Sequence, residues 1–226
     1  MRLVIFAAVG VAALVLASTA SAGPYIFTST VTASGPSPFT GCTADNVALQ
    51  ESELGSTLFP NAEPEPRADV NPTNSSNIVG AYQQDRWDDG GARGLVSSWS
   101  KDGGATWHPV VIPGISKCSS TNSIYDRASD PWVSFAPNGD LYETSLSFGF
   151  FSPDNAIYVS KSTDGGESWG APIAVARDNT GGLDKQSITA DPFDSNYVYE
   201  AWDRFVLPSG FPCSDLGRFH AAAYVQ

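Results

Sequence analysis

The sequence predicts an all-β chain of repeated four-stranded antiparallel units. Three observations carry that prediction. The first is one phrase present twice, Ser100-Lys101-Asp102-Gly103-Gly104-Ala105-Thr106-Trp107 and Ser162-Thr163-Asp164-Gly165-Gly166-Glu167-Ser168-Trp169, both of the form S-x-D-G-G-x-[ST]-W. Its Asp-Gly-Gly core is a hairpin-turn signal: glycine takes the positive φ that such turns need, and Asp bonds its own turn backbone. The Ser and Thr hydroxyls can bond the same backbone, and the closing Trp starts the returning strand. The second observation is another repeat, in which residues 71–82 match residues 191–202, with ten residues from proline to closing aromatic in each. A shorter copy, residues 132–142, turns at Pro137-Asn138-Gly139-Asp140. The third is composition. Only 16% of residues are charged, 12% are aromatic, and there are 21 Gly and 16 Pro, which suits a turn-rich β protein rather than a disordered chain.

Residues 1–22 read as a secretory signal peptide: Arg2, an apolar run over 3–16, then the small-residue site Ala20-Ser21-Ala22. The expected location is therefore secreted, periplasmic or at the cell surface, with no membrane association after cleavage. The net charge of −12 argues against nucleic acid and anionic membranes as partners. The three cysteines, Cys42, Cys118 and Cys213, allow one disulfide and leave one thiol over, with the pairing open. Residues 23–66 form a poorly patterned leader whose best strand candidate is 25–33.

The two repeats interleave. Each unit reads strand, Pro-Asn turn, strand, loop, strand, D-G-G turn, strand, which is a four-stranded meander of propeller-blade size. Blade one covers about 67–112 and blade two about 132–175. Blade three starts near Gln186, and 219–226 is similar to a strand preceding a D-G-G turn. The fold class is thus all-β, a partial β-propeller of about two and a half blades in residues 67–226. Closed propellers take about four to eight blades, so the expectation is a fragment, or an arc whose open edges need cover.

The doubled phrase resembles the Asp box, or BNR repeat, of sialidase-superfamily propellers. There it joins the third and fourth strands of a blade, which assigns a structural role to Ser100, Asp102, Gly104, Thr106, Trp107, Ser162, Asp164, Gly166, Ser168 and Trp169. Residues 67–204 as a whole are similar to exported bacterial sialidase-like (exo-alpha-sialidase-like) proteins. The resemblance implies a sugar carboxylate held by arginines, an Asp acid/base and a Tyr nucleophile assisted by Glu. The family's F/Y-R-I-P motif is absent; Arg67, in Glu65-Pro66-Arg67-Ala68, stands near its place. The nucleophile and the later arginines normally come from later blades. What carries over is the fold and an acid/base region at Asp85 or Asp130.

In a meander, alternate turns lie on opposite faces. The D-G-G and Pro-Asn turns share one face, and charge gathers on the other: Asp85-Arg86, Arg127, Asp130, Asp184-Lys185 and Asp203-Arg204. These pairs either bond locally and order the loop mouths, or they bind an anionic sugar, since an Arg fork grips a carboxylate with two parallel hydrogen bonds. On the second reading Asp85 and Asp130 are catalytic, and Arg86, Arg127, Asp184, Lys185 and Arg204 bind substrate. Trp87 stacks on a sugar or caps the core. No cofactor is expected, and no metal site: the sequence has no C-x-x-C, no H-E-x-x-H and no P-loop, and Asp85, Asp88 and Asp89 fit no EF-hand spacing. The function so read is a secreted sialidase-like glycoside hydrolase, represented by its N-terminal portion. The alternatives are a non-catalytic propeller binding glycans or proteins, and a surface scaffold. No sialidase turnover is expected of this chain alone. Trp107 and Trp169 are both expected to be buried between blades.

Overall fold

A computed structural model describes residues 30–205 and the backbone of a last strand, 219–225. The expected signal peptide, Cys213 and most of the 25–33 strand candidate lie outside the described residues; within it, residues 30–33 form no strand.

The described chain is β throughout except for one helix. Blade one is β2 (Arg67–Val70), β3 (Ile78–Trp87), β4 (Ala92–Ser100) and β5 (His108–Val111). Blade two is β6 (Arg127–Phe135), β7 (Leu141–Phe148), β8 (Asn155–Ser162) and β9 (Ile173–Asp178). Blade three contributes β10 (Gly182–Ala190), β11 (Val198–Phe205) and β12 (Phe219–Val225). Within each blade every strand pairs antiparallel with the next. The fold is a partial propeller, as the repeats predict. Blades two and three start earlier than expected, at Arg127 and Gly182. Their first strands run on through Asp130-Pro131 and Lys185-Gln186 by way of register shifts. A charged Asp-Pro reads as a link, yet a β-bulge accommodates it inside a strand.

The two D-G-G turns fold alike. In the first, Ser100 Oγ donates to Asp102 Oδ1 at 2.8 Å and accepts from the Gly104 amide at 2.9 Å; Asp102 then accepts from the Thr106 amide and hydroxyl at 2.9 and 2.7 Å. In the second, Ser162, Asp164, Gly166 and Ser168 repeat these bonds. Both glycines of each pair have positive φ, between 73° and 95°, which a side chain would resist. The Thr106 hydroxyl and amide, with Ser100, hold the Asp102 carboxyl down at about 2. The shared face is also observed: Asn77 of the blade-one Pro-Asn turn donates to the carbonyls of Ser100 and Gly165, at 3.1 and 3.0 Å.

The tryptophans that close the two turns differ. Trp169 reaches across to blade one, where its indole donates to Ser97 Oγ at 2.8 Å. There it packs against two core clusters, one with Leu95, Ile112 and Tyr158, the other with Val79, Val133 and Leu141. Trp107 folds back on its own turn, donating to the Gly104 carbonyl at 3.0 Å. Both are half-buried rather than buried. The expectation that both are buried between blades is corrected: Trp107 packs against none of the core clusters among the described residues.

The leader is more ordered than its composition predicts. It holds α1 (Val47–Leu54), ended by Gly55 at φ 70°, and β1 (Leu58–Phe59), which pairs with the end of β3. Phe39 is buried with Tyr82 and Val96. It lies where Gly94 leaves room, since a Cβ there would stand 2.6 Å from the Phe39 ring. A Cys42–Cys118 disulfide closes the open pairing and ties the leader to the link between blades one and two. Arg93 adds a 2.8 Å ion pair to buried Asp45.

Two buried carboxyls went unnoticed in the sequence. Glu143 on β7 is fully buried, and burial, with Glu200 nearby, raises it well above the ordinary range. Glu200, at the same register on β11, accepts from Thr144 Oγ1 at 2.7 Å and is pushed by burial up to about 8.

Candidate functional site

The site is built from the first strand of each blade. β2, β6 and β10 lie side by side. The Phe135 amide donates to Asp69 Oδ2 at 2.7 Å, and the Ala190 amide donates to Ser134 Oγ at 3.0 Å. At the same end of each strand stands one non-glycine residue with positive φ: Glu65 at 59°, Asp130 at 54° and Lys185 at 51°. Each is seven residues before the proline of its blade's turn, Pro72, Pro137 or Pro192. Non-glycine residues are uncommon in this region. Three in register mark a repeated device that re-aims a side chain, as bulges near functional sites do.

The three strand ends enclose a cavity of about 470 Å³, lined by Glu65-Pro66-Arg67, Asp130-Pro131-Trp132 and Lys185-Gln186-Ser187. Lys185 Nζ lies 3.3 Å from Asp130 Oδ2, and Ser129 Oγ donates to Asp130 Oδ1. Gln186 Nε2 donates to the Asp130 carbonyl at 2.7 Å, which fixes the bulge. Gln83 Nε2 donates to both Glu65 and Ser129, and Arg86 Nη1 donates to Gln83 Oε1 at 2.6 Å. The Arg67 guanidinium lies over the Trp132 ring, 4.0 Å from its centroid. Burial pushes the Glu65 carboxyl above its ordinary range, and the neighbouring Asp130 carboxylate pushes it further by charge and by accepting its hydrogen bond. Beside them, burial and then Asp130 raise Asp184. The arrangement offers a carboxyl raised above its ordinary range, a carboxylate partner, cations at the rim and an aromatic face.

Of the residues assigned from sequence, the structure places Asp130 and Lys185 in the lining of this cavity, with Asp184 near enough to Asp130 to be raised by it and Arg86 bonded to Gln83. It does not bring the others there. Asp85, in a left-handed position of β3, is buried. It accepts from Ser37 Oγ, the Asn61 amide and Gln84 at 2.7, 2.8 and 3.1 Å, so it anchors the leader. Arg127 is fully buried and paired with Asp89. Arg204 Nε bonds Asp178 Oδ2 at 2.5 Å and its Nη2 donates to Thr180, which orders the turn into β10. Trp87 is fully buried in the core, with Arg127 over its ring. Sequence reasoning missed Glu65, Gln83, Trp132 and Gln186. The signal for Glu65 was available: counting back seven residues from each turn proline aligns Glu65, Asp130 and Lys185.

Among the described residues, Cys42, Cys118 and Asp45 have metal-ligand spacing. The two sulfurs are joined to each other and Asp45 is held by Arg93, so the group does not fit a metal.

Solved structures share this fold. A Hadza microbial sialidase superposes with a TM-score of 0.54 at 17% identity, covering 74% of this chain and 35% of the sialidase. A protein of unknown function from Dyadobacter fermentans superposes with a TM-score of 0.52 at 15% identity, covering 76% of this chain and 54% of that one. The fold is a sialidase-like propeller. The chain spans between about a third and about half of the length of those two structures. No family model matches the sequence, and no curated protein does.

Proposed function

We propose that the sialidase-like propeller binds an anionic sugar in the cavity at its inner strands, as part of a secreted glycoside hydrolase of the exo-alpha-sialidase type. The observation that carries this is the Glu65–Asp130 carboxyl pair, flanked by Lys185, Arg86 and Arg67. A sugar carboxylate entering the cavity meets Lys185 and the Arg67 fork, while the Trp132 face offers a stacking surface. Glu65, whose pKa is raised by burial and by Asp130, is the group best suited to give a proton to a glycosidic oxygen, and Asp130 accepts its hydrogen bond. Arg86 acts through Gln83, which orients Glu65.

A binding-only propeller is the second reading. Arg127 and Arg204 already have carboxylate partners, so the described residues offer fewer free cations than an arginine clamp needs. Titration with free sialic acid and with its neutral parent sugar, beside an assay with a fluorogenic sialoside, separates the two. Binding of the acid is expected, weakened about tenfold or more by Lys185→Ala with Arg67→Ala, the size of one or two lost charge-assisted bonds. Binding without turnover favours the second reading for this chain. Turnover lost in Glu65→Gln with binding kept favours the hydrolase. Acid and neutral sugar bound equally, with no effect of the double variant, would remove the anionic-sugar assignment.

A further inference from the structure

The seam between blades one and two is filled and the seam between blades two and three is not. In the filled seam, Trp169 bonds Ser97 and packs on Val79, Val133 and Leu141. Its turn presses on the same wall: a Cβ on Gly166 would lie 2.7 Å from Val79 Cγ2. The strand registers give each of these residues a counterpart one blade on. Ile78 and Leu141 each pair with the serine that opens a D-G-G phrase, so Val79 corresponds to Tyr142 and Ser97 to Val159. Val110, opposite Ser97, corresponds to Ile173, opposite Val159. Counting from the left-handed residues, Val133 corresponds to Ile188, and Leu141 to Val198, since they pair with Phe135 and Ala190.

Those counterparts line a groove of about 310 Å³, together with Glu200 and Trp202. The groove is apolar and open. Ile173 is 71% exposed, whereas Val110 is half-buried. Among the described residues, the walls that hold a tryptophan in one seam therefore stand without one in the next.

We infer that the groove between blades two and three is the seat of a third S-x-D-G-G-x-[ST]-W turn, with its tryptophan inserted between Val159, Ile188 and Val198. The occupant is thus a polypeptide hairpin of that pattern, and a small ligand or a second copy of the chain is not. A tryptophan suits the groove because one side chain buries on the order of 200 Å², and the Trp169 seat supplies the geometry. The inference rests on the blade repeat and not on the sugar site.

The test uses the purified chain and a synthetic peptide copying residues 158–176, followed by calorimetry and by the thermal midpoint, which rises when a ligand binds only the folded state. Saturable binding is expected. A peptide with Trp169→Ala should bind about tenfold more weakly or worse, because a buried aromatic anchor dominates such contacts. Ile173→Glu in the chain, at an exposed groove position that leaves the core intact, should weaken binding as much. Failure of the peptide to bind, or equal binding of both peptides, would overturn the inference. So would sedimentation showing that the chain alone dimerises and that Ile173→Glu abolishes the dimer, since the groove would then belong to a second copy.

Discussion

Arg127→Ala is expected to lower the unfolding free energy by about 3–5 kcal/mol, the cost of leaving buried partners of a charged group uncompensated. Each nitrogen of the guanidinium makes at least one hydrogen bond. Nη1 lies 2.6 Å from Asp89 Oδ1 and 2.5 Å from the Gly90 carbonyl, Nε donates to Gln50 Oε1 at 2.8 Å, and Nη2 donates to Ser56 Oγ at 3.3 Å. The rings of Trp87 and Phe150 lie 4.5 and 4.0 Å away. The Asp89 side chain is 34% exposed, so solvent screens its share. The fully buried Gln50, which would lose its acceptor's partner, and the two rings carry most of the effect. Arg127→Lys should recover little, because a single ammonium nitrogen cannot reproduce the planar fork whose separate nitrogens reach Gln50, Asp89 and Ser56. Denaturant unfolding reads both variants. A cost below about 1 kcal/mol for Arg127→Ala would return this residue to the ligand-binding role that the sequence assigned it.

Trp169→Ala should cost a similar amount, roughly 3–5 kcal/mol, as other large aromatic truncations do in cores. It removes the contact joining two clusters and the bond to Ser97. Trp107→Ala should cost much less, about 1 kcal/mol, because its indole bonds its own turn and joins none of the core clusters among the described residues. Unfolding curves of the two variants side by side test the difference. Equal costs would contradict the assignment of Trp169 as the blade-joining residue.

The fold was legible because its signals are local. A turn that needs two glycines, an Asp and flanking hydroxyls writes itself into eight residues, and the chain does so twice. Pro-Asn turns at matching distances gave the strand order. The leader was illegible for the opposite reason. Phe39, Asp45 and Cys42 owe their order to partners 48 to 76 residues away, at Arg93, Gly94 and Cys118, and no periodicity announces such contacts. The site was half legible. Charge clustering pointed to Asp130, Asp184 and Lys185, but it could not separate a cation at the cavity rim from one consumed by the core. Arg127 and Lys185 look alike in sequence and differ in burial. Glu65 stayed hidden because a turn-rich segment of alternating proline and acid reads as a linker.

At the centre of the proposed site, burial and the Asp130 carboxylate raise the Glu65 carboxyl. The direct measurement is the titration of the Glu65 side-chain carboxyl by carbon NMR, in the unaltered chain and in Asp130→Asn. Asparagine tolerates the left-handed backbone at that position, so the variant removes a charge without disturbing the bulge. The predicted result is a Glu65 midpoint above the ordinary glutamate range, moving down in Asp130→Asn as the neighbouring charge disappears, yet not fully to normal, since burial remains. A Glu65 midpoint in the ordinary range, unchanged by Asp130→Asn, would contradict the coupling of Glu65 to Asp130 and with it the acid pair at the centre of the site.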